Sequence, residues 1–91
     1  MDSKIRYVKT YVDVVVRMRT DGTNIPIKVI WDDQEYNIDK VLRVLAAPPK
    51  RVAHIGGPTI KHVCLMNGQE KELFLEDNPR RWFVEKPVVQ F

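Results

Sequence analysis

Apolar and polar residues alternate along much of this chain, and the alternation predicts a series of short β-strands. The first example is "YVDVVVRMR", in which Val12, Val14, Val16 and Met18 recur at every second position. β-branched residues at a period of two are typical of a strand with one buried face. "TDGTN" follows as a turn. "IPIKVIW" then resumes the alternation, and Pro26, which has no N–H, suits the start of a strand or a sheet edge.

The acidic stretch "WDDQEYNID" allows two interpretations, a carboxylate site or a turn. Asp32, Asp33, Glu35 and Asp39 follow Trp31 closely, with no basic residue among them. A calcium loop needs several oxygens that converge around a glycine, and this stretch has no glycine. Within a strand, Asp32 and Asp33 would point to opposite faces of the sheet. The stretch therefore predicts a solvated hairpin rather than a metal site.

The aromatic residues around this turn are predicted to belong to the core. Trp31 and Tyr36 flank the turn and are placed to pair across two strands, and Trp82 recurs in a later alternating stretch. A small barrel needs bulky residues of this kind to fill its interior. We therefore expect all three side chains to be buried.

The next segment, "YNIDKVLRVLAAPP", is compatible with either a helix or a strand. Ile38, Val41, Leu42 and Leu45 have the i, i+3, i+4, i+7 spacing of a helical stripe, within residues 38–45. A bulge near Asp39–Lys40 would instead keep these apolar residues in one strand. The bulged strand is the favoured interpretation, and the two prolines that follow end the element in either case.

The second half of the chain predicts further strands after a long loop. "PPKRVAHIGGPT" covers residues 48–59 and is rich in proline and glycine, so it predicts an irregular basic loop. "IKHVCLM" and "QEKELFLE" flank Asn67–Gly68, a pair that favours the type I′ turn of a hairpin. "RWFVEK" is the last clear strand, followed by residues 86–91 as a tail or an edge strand. Residues 1–6 precede the first predicted element and are candidates for disorder.

These elements predict one all-β domain over residues 1–91. The expected architecture is a bent sheet of five to six strands or a partly open SH3-like barrel, with at most one short helix. The chain has 91 residues, of which 44% are hydrophobic and 30% are charged, as in ordinary soluble globular proteins. No apolar run is long enough to span a membrane as a helix, no signal peptide is evident, and Cys64 is the only cysteine. We therefore expect a cytoplasmic protein with no membrane partner.

The pattern resembles that of short bacterial domains of unknown function. Those sequences combine a tryptophan, a tyrosine and a Val/Ile-x-x-Val-Leu segment with a later Glu-Leu and a closing Trp-x-Val/Leu. The corresponding residues here are Trp31, Tyr36, Ile38, Val41, Leu42, Glu72, Leu73, Trp82 and Val84. Some of these domains are similar to segments found beside damage-tolerance DNA polymerases. The resemblance implies an all-β fold and supplies no catalytic residues.

The residues that usually carry catalysis or bind metals do not form a recognisable motif. His54, His62 and Cys64 could in principle supply three ligands, but the paired spacing typical of zinc sites is missing. His62 and Cys64 alternate on one face of a predicted strand, so Cys64 is expected to be a small buried hydrophobe and His62 to lie at one end of the barrel. We therefore expect a protein that is not an enzyme and holds no metal or cofactor.

The basic residues supply a candidate for nucleic-acid binding. The net charge is +3, and the stretch from Ala46 to His62 contains no acidic residue. Small barrels bind single strands by combining a cationic groove with aromatic side chains that stack on bases. Tyr7, Tyr11, Phe74 and Phe83 are candidates for such stacking, since they fall on the opposite alternation from the core positions. The candidate cations are Lys50, Arg51, His54, Lys61, Arg80 and Arg81.

Two functions follow from these observations. The first is a non-catalytic interaction module that binds a protein partner or a second copy of itself, through an exposed edge at "IPIKVIW" or at "PVVQF". The alternative is weak, sequence-independent binding of nucleic acid through the basic loop.

Overall fold

The structure, a computed structural model, describes residues 4–46, 59–77 and 79–90, and their regular structure consists of seven β-strands. These are β1 (Lys4–Met18), β2 (Asn24–Trp31), β3 (Gln34–Asn37), β4 (Lys40–Ala46), β5 (Thr59–Met66), β6 (Gln69–Glu76) and β7 (Arg81–Gln90). The described residues include no helix, and hence none that could cross a membrane. The prediction of one small all-β domain is confirmed, whereas the predicted count of five to six strands is wrong.

All seven strands belong to one antiparallel sheet with the order β3-β2-β1-β7-β6-β5-β4. The short link between β3 and β4 bends this sheet into an open half-barrel. The Ile38 N–H donates to the carbonyl of Ile27 on β2 at 3.0 Å, and the Asp39 N–H donates to the carbonyl of Leu65 on β5 at 2.8 Å. Successive residues thus bond to strands near opposite ends of the sheet, which brings those ends together.

This change of partner explains the extra strand. The segment expected to be a single bulged strand is divided at Ile38–Asp39, because its first part pairs with β2 and its second part with β5. A strand is confirmed over a helix, but the irregularity in its ladder lies between Val41 and Arg43, not near Asp39–Lys40.

The core lies on the concave side of the sheet. Val29, Cys64 and Leu73 are buried at its centre. The predicted core residues Trp31 and Trp82 pack against this centre, as expected of core residues, but they are only partly buried.

On β1 the predicted inward face is confirmed for Val12 and Val14, which pack against this centre. It is wrong for Val16 and Met18, which are 37% and 70% exposed beyond the register shift of the β1–β2 ladder between Val15 and Val16.

Tyr36 departs from the prediction that it is core. It pairs with Val29 but is 42% exposed, and its hydroxyl donates to Gln34 Oε1 at 3.0 Å. β3 is the last strand at its end of the sheet, so no neighbouring strand covers the outer side of the ring.

The expected edge at "IPIKVIW" is also wrong, because β2 pairs with β1 on one side and β3 on the other. The terminal strands of the sheet are β3 and β4. "PVVQ" at the C-terminal end belongs to β7 and pairs with the beginning of β1, and no described strand pairs with its other side, so the expected edge is confirmed for residues 87–90. β1 therefore starts at Lys4, well before the predicted start at Tyr11.

Both predicted hairpins are confirmed, but the link expected over Asp32 to Glu35 is shorter than predicted, because Gln34 and Glu35 already belong to β3. Asp32 and Asp33 have φ values of 52° and 62°, and they connect β2 to β3. Asn67 and Gly68 have φ values of 52° and 76°, and they connect β5 to β6. Positive φ at both central residues matches the right-handed twist of the flanking strands. The acidic stretch is thus a turn.

Replacing Gly68 by alanine should lower the free energy of unfolding by about 1 kcal/mol, because an L-residue is strained at this positive φ. A Cβ at this position would meet no atom within 4 Å, so the loss would report backbone strain alone. Urea unfolding of the wild type, Gly68→Ala and Gly68→Asn measures it. Asparagine tolerates positive φ, so an equal loss in Gly68→Asn would contradict this explanation.

Candidate functional site

The convex face of the sheet carries a row of side chains from five neighbouring strands. Strand register places Leu45, Lys61, Phe74, Phe83 and Tyr11 beside one another, in that order. Phe74 and Phe83 are buried and stack with their ring centroids 5.1 Å apart, and Tyr11 meets Phe83 edge-on at 6.0 Å. Of these aromatic candidates, Tyr11 is 43% exposed and the two phenylalanines are inaccessible to a ligand.

Glu76 anchors a network beside this row. Its carboxylate accepts hydrogen bonds from Lys9 Nζ at 3.0 Å, the Tyr11 hydroxyl at 2.8 Å and Arg81 Nε at 3.1 Å. The Lys9 ammonium lies 4.8 Å from the centroid of Phe83, and the Arg81 guanidinium lies 4.0 Å from that of Tyr11. The two cations thereby cover the aromatic rings and neutralise the buried acid.

Two opposing influences set the pKa of Glu76. Burial by itself would raise the pKa of the carboxyl, but the bonds from Lys9, Tyr11 and Arg81 outweigh it and hold the pKa below the ordinary value of 4.5. Glu76 is therefore ionised at neutral pH. Glu76 therefore stabilises the fold through the charged form of its carboxylate.

The structure distributes the predicted nucleic-acid-binding residues over separate surfaces. Lys61 is largely buried on the convex face and forms an ion pair with Glu72 at 3.2 Å. Arg81 belongs to the Glu76 network, whereas the adjacent Arg80 lines a cavity on the concave side together with His62. Three further predicted residues, Lys50, Arg51 and His54, lie outside the described residues.

His62 and Cys64 share the concave face, as their alternation predicted. Cys64 is fully buried, and burial raises the pKa of its thiol to about 11. The imidazole of His62 is buried 4.9 Å from the ring of Trp82, and burial lowers its pKa. Within the described ranges, no group of three or more His, Cys, Asp or Glu side chains is arranged to hold a metal.

A cleft of about 840 Å³ opens between β6 and β7. These strands pair only from Phe74–Phe83 to Glu76–Arg81, and beyond Phe83 the strand β7 pairs with β1 alone among the described residues. Core residues consequently form the floor of the cleft. They are Val29, Trp31, Met66, Leu73 and Val84.

Aromatic and charged residues surround this floor. Tyr7 and Tyr36 line the cleft from β1 and β3. Its β6 wall carries the sequence "EKE" of residues 70–72, and its β7 wall carries Glu85 and Lys86. The rim therefore has charges of both signs around an apolar and aromatic interior.

The sequence indicates why β6 and β7 separate beyond Phe83, although the prediction of strands from alternation did not reveal it. If the β6–β7 register continued, Glu72 would lie directly opposite Glu85, and like charges at such positions destabilise a strand pair. The next position but one on β7 is Pro87, which offers no N–H to a ladder. This indication can be recognised only when the pairing register of β6 and β7 is known, and hydrophobic periodicity alone does not give that register.

Comparison with known proteins adds no assignment. The chain matches no protein-family model, and no curated protein or solved structure matches it.

Replacing Glu76 by glutamine should lower the free energy of unfolding at neutral pH by about 2 kcal/mol, since the carboxylate accepts bonds from two cations. Because the folded pKa is lowered, the stabilising charge is fully present above the ordinary value of 4.5 and is lost as the pH falls through the folded pKa. The difference between wild type and variant should therefore shrink at acid pH.

Urea unfolding at a series of pH values measures this effect. Glu35→Gln is the matched control, because Glu35 pairs with Lys28 at 2.8 Å but its side chain is 61% exposed. An exposed pair contributes at most about 1 kcal/mol. A loss in Glu76→Gln that is no larger than in Glu35→Gln, or that is independent of pH, would count against a structural role for the Glu76 network.

Proposed function

We propose that this domain is a non-catalytic protein-binding module that holds an extended, largely apolar segment of a partner protein in the cleft between β6 and β7. One observation carries the proposal: the divergence of two strands leaves Trp31, Met66 and Val84 accessible from a cleft of about 840 Å³. In this proposal the half-barrel is of the SH3-like kind and works in the cytoplasm, where a lone cysteine stays reduced.

The side chains of the cleft have the composition of a protein interface. Tyrosine, tryptophan and methionine are enriched at such interfaces, and aromatic anchors often supply most of the binding free energy. Trp31 lies on the floor, Tyr7 and Tyr36 lie at the sides, and Met66 adds a flexible thioether that adapts to different ligands. Tyr36 is half-exposed, so its ring can contact a partner without disturbing the core.

The charges favour a peptide over a polyanion. The rim alternates acidic and basic residues along β6, which suits the mixed charges of a protein segment. Lys61, which also lines the cleft, is paired with Glu72, and on the convex face Lys9 and Arg81 are paired with Glu76. These ion pairs reduce the positive potential available to phosphates.

Replacing Tyr36 by alanine should weaken the binding of a cleft ligand about tenfold, because it removes an aromatic anchor at the side of the cleft. A displayed library of linear peptides is panned against the wild type, and the enriched peptides are titrated into wild type and variant. The expected peptides are extended and carry apolar residues at alternate positions.

Ile27→Ala is the matched control, because Ile27 is also 42% exposed but does not line the cleft. Ile27→Ala should change the affinity for the enriched peptides by less than about twofold. Failure of the library to yield any binder would contradict the proposal. So would peptides whose affinity is insensitive to Tyr36→Ala.

Weak, sequence-independent nucleic-acid binding is the second candidate. The observation in its favour is the exposed pair of Arg81 and Tyr11, in which the guanidinium covers the ring at 4.0 Å. A cation beside an exposed aromatic ring can stack on a base and contact a phosphate. Arg80 and the basic loop with Lys50 and Arg51 would supply further phosphate contacts.

This candidate predicts a steep dependence on salt. Labelled single- and double-stranded DNA and RNA are titrated at low and moderate salt, and affinity should fall by more than about tenfold between them. The triple variant Lys50→Ala, Arg51→Ala, Arg80→Ala should weaken binding, whereas Lys28→Ala on β2 should not. Absence of binding at low salt would eliminate this candidate.

A further inference from the structure

The beginning of β1 and the end of β7 form a two-stranded ribbon that extends past the rest of the sheet. Lys4–Val8 pairs with Lys86–Gln90. The ladder between β1 and β2 begins only at Asp13, and the ladder between β6 and β7 ends at Phe83. The molecule is accordingly elongated, with extents of 53, 30 and 24 Å.

An isolated two-stranded ribbon is at most marginally stable in water. Strand register places Val8 and Val88 on the same face as Val12 and Val84, which pack against the core. Val8 and Val88, however, are 40% and 36% exposed. Among the described residues, no strand lies along the side of Lys4–Val8 that faces away from β7. This side of β1 is an open strand edge with exposed valines beside it.

We infer that the ribbon binds a second copy of this chain, through antiparallel pairing of the open β1 edges around a two-fold axis. The pairing creates a continuous four-stranded sheet in the order β7-β1-β1-β7, with the two inner strands contributed by different copies. A two-fold axis requires antiparallel pairing of identical strands. The added ladder supplies the third and fourth strands that a ribbon needs for independent stability.

Charge complementarity identifies the second copy as the partner. The ribbon segments "KIRYV" and "KPVVQ" contain three basic residues and no acid. The β2–β3 hairpin places Asp32 and Asp33, both exposed, beside β1 where its open edge ends. In an antiparallel pair, the start of each β1 points toward the acidic turn of the other copy. Each basic ribbon thus meets the acidic turn of the other copy, and the dimer contains two such contacts.

Sedimentation equilibrium of the wild type over a concentration series tests the inference, with a monomer–dimer equilibrium as the expected result. Replacing Val8 by lysine places a charge beside the open edge and should give a monomer that keeps its fold by circular dichroism. Asp32→Asn with Asp33→Asn should weaken the dimer about tenfold, because asparagine keeps the positive φ but removes the charge.

Asp77→Asn is the control for the charge variants, because Asp77 is exposed in the turn between β6 and β7. It should leave the dissociation constant unchanged. Hydrogen exchange of the wild type gives an independent readout: amides between Ile5 and Val8 should become protected as the protein concentration rises. Tyr36→Ala should remain dimeric, which separates this inference from the proposal for the cleft.

A wild type that stays monomeric at every concentration would overturn the inference. A dimer that tolerates both Val8→Lys and the Asp32/Asp33 substitutions, without concentration-dependent protection of the ribbon, would do so as well, because its interface would then lie elsewhere.

Discussion

The pair of backbone hydrogen bonds at Ile38 and Asp39 determines the shape of the molecule. These adjacent residues donate to β2 and to β5, which lie near opposite ends of a seven-stranded sheet. A flat sheet could not satisfy both donors at once. The sheet therefore curls, its concave face closes around Cys64 and Leu73, and a chain of 91 residues obtains a core from one layer.

The curled sheet is closed at the link between β3 and β4, and it is open at a second place. The opening lies between β6 and β7, where a continued ladder would place Glu72 opposite Glu85. Since β7 follows β1 after Phe83, the same divergence produces both the cleft and the ribbon. The two candidate binding surfaces therefore have one structural origin, and a substitution that extended the β6–β7 ladder would alter both.

Local features of the sequence predicted most of the fold, whereas the order and the pairing register of the strands in the sheet could not be predicted from them. Alternation and turn chemistry identified the strands and the hairpins at Asp32–Asp33 and Asn67–Gly68, because both depend on adjacent residues. The exposure of Tyr36 depends on which strand lies at the edge of the sheet, and hydrophobic periodicity does not predict the order of the strands. The cleft depends on the β6–β7 register for the same reason. Among the predicted cations, Lys61 and Arg81 are paired with Glu72 and Glu76, each of which lies across a turn on the neighbouring strand.

The convex face shows why a basic composition is a poor guide to function in a domain this small. Phe74 and Phe83 are buried on the side of the sheet that faces away from the core, so other side chains, rather than a second layer of secondary structure, must cover them. The stems and heads of Lys9 and Arg81 contribute to that cover, held in place by Glu76. These cations are part of the structure, and both are paired with the Glu76 carboxylate. The ribbon of residues 4–8 and 86–90 contains basic residues and no acid, whereas the exposed turn at Asp32–Asp33 is acidic. Opposite charges on two parts of one molecule suit the pairing of two copies that we infer better than they suit a uniform polyanion.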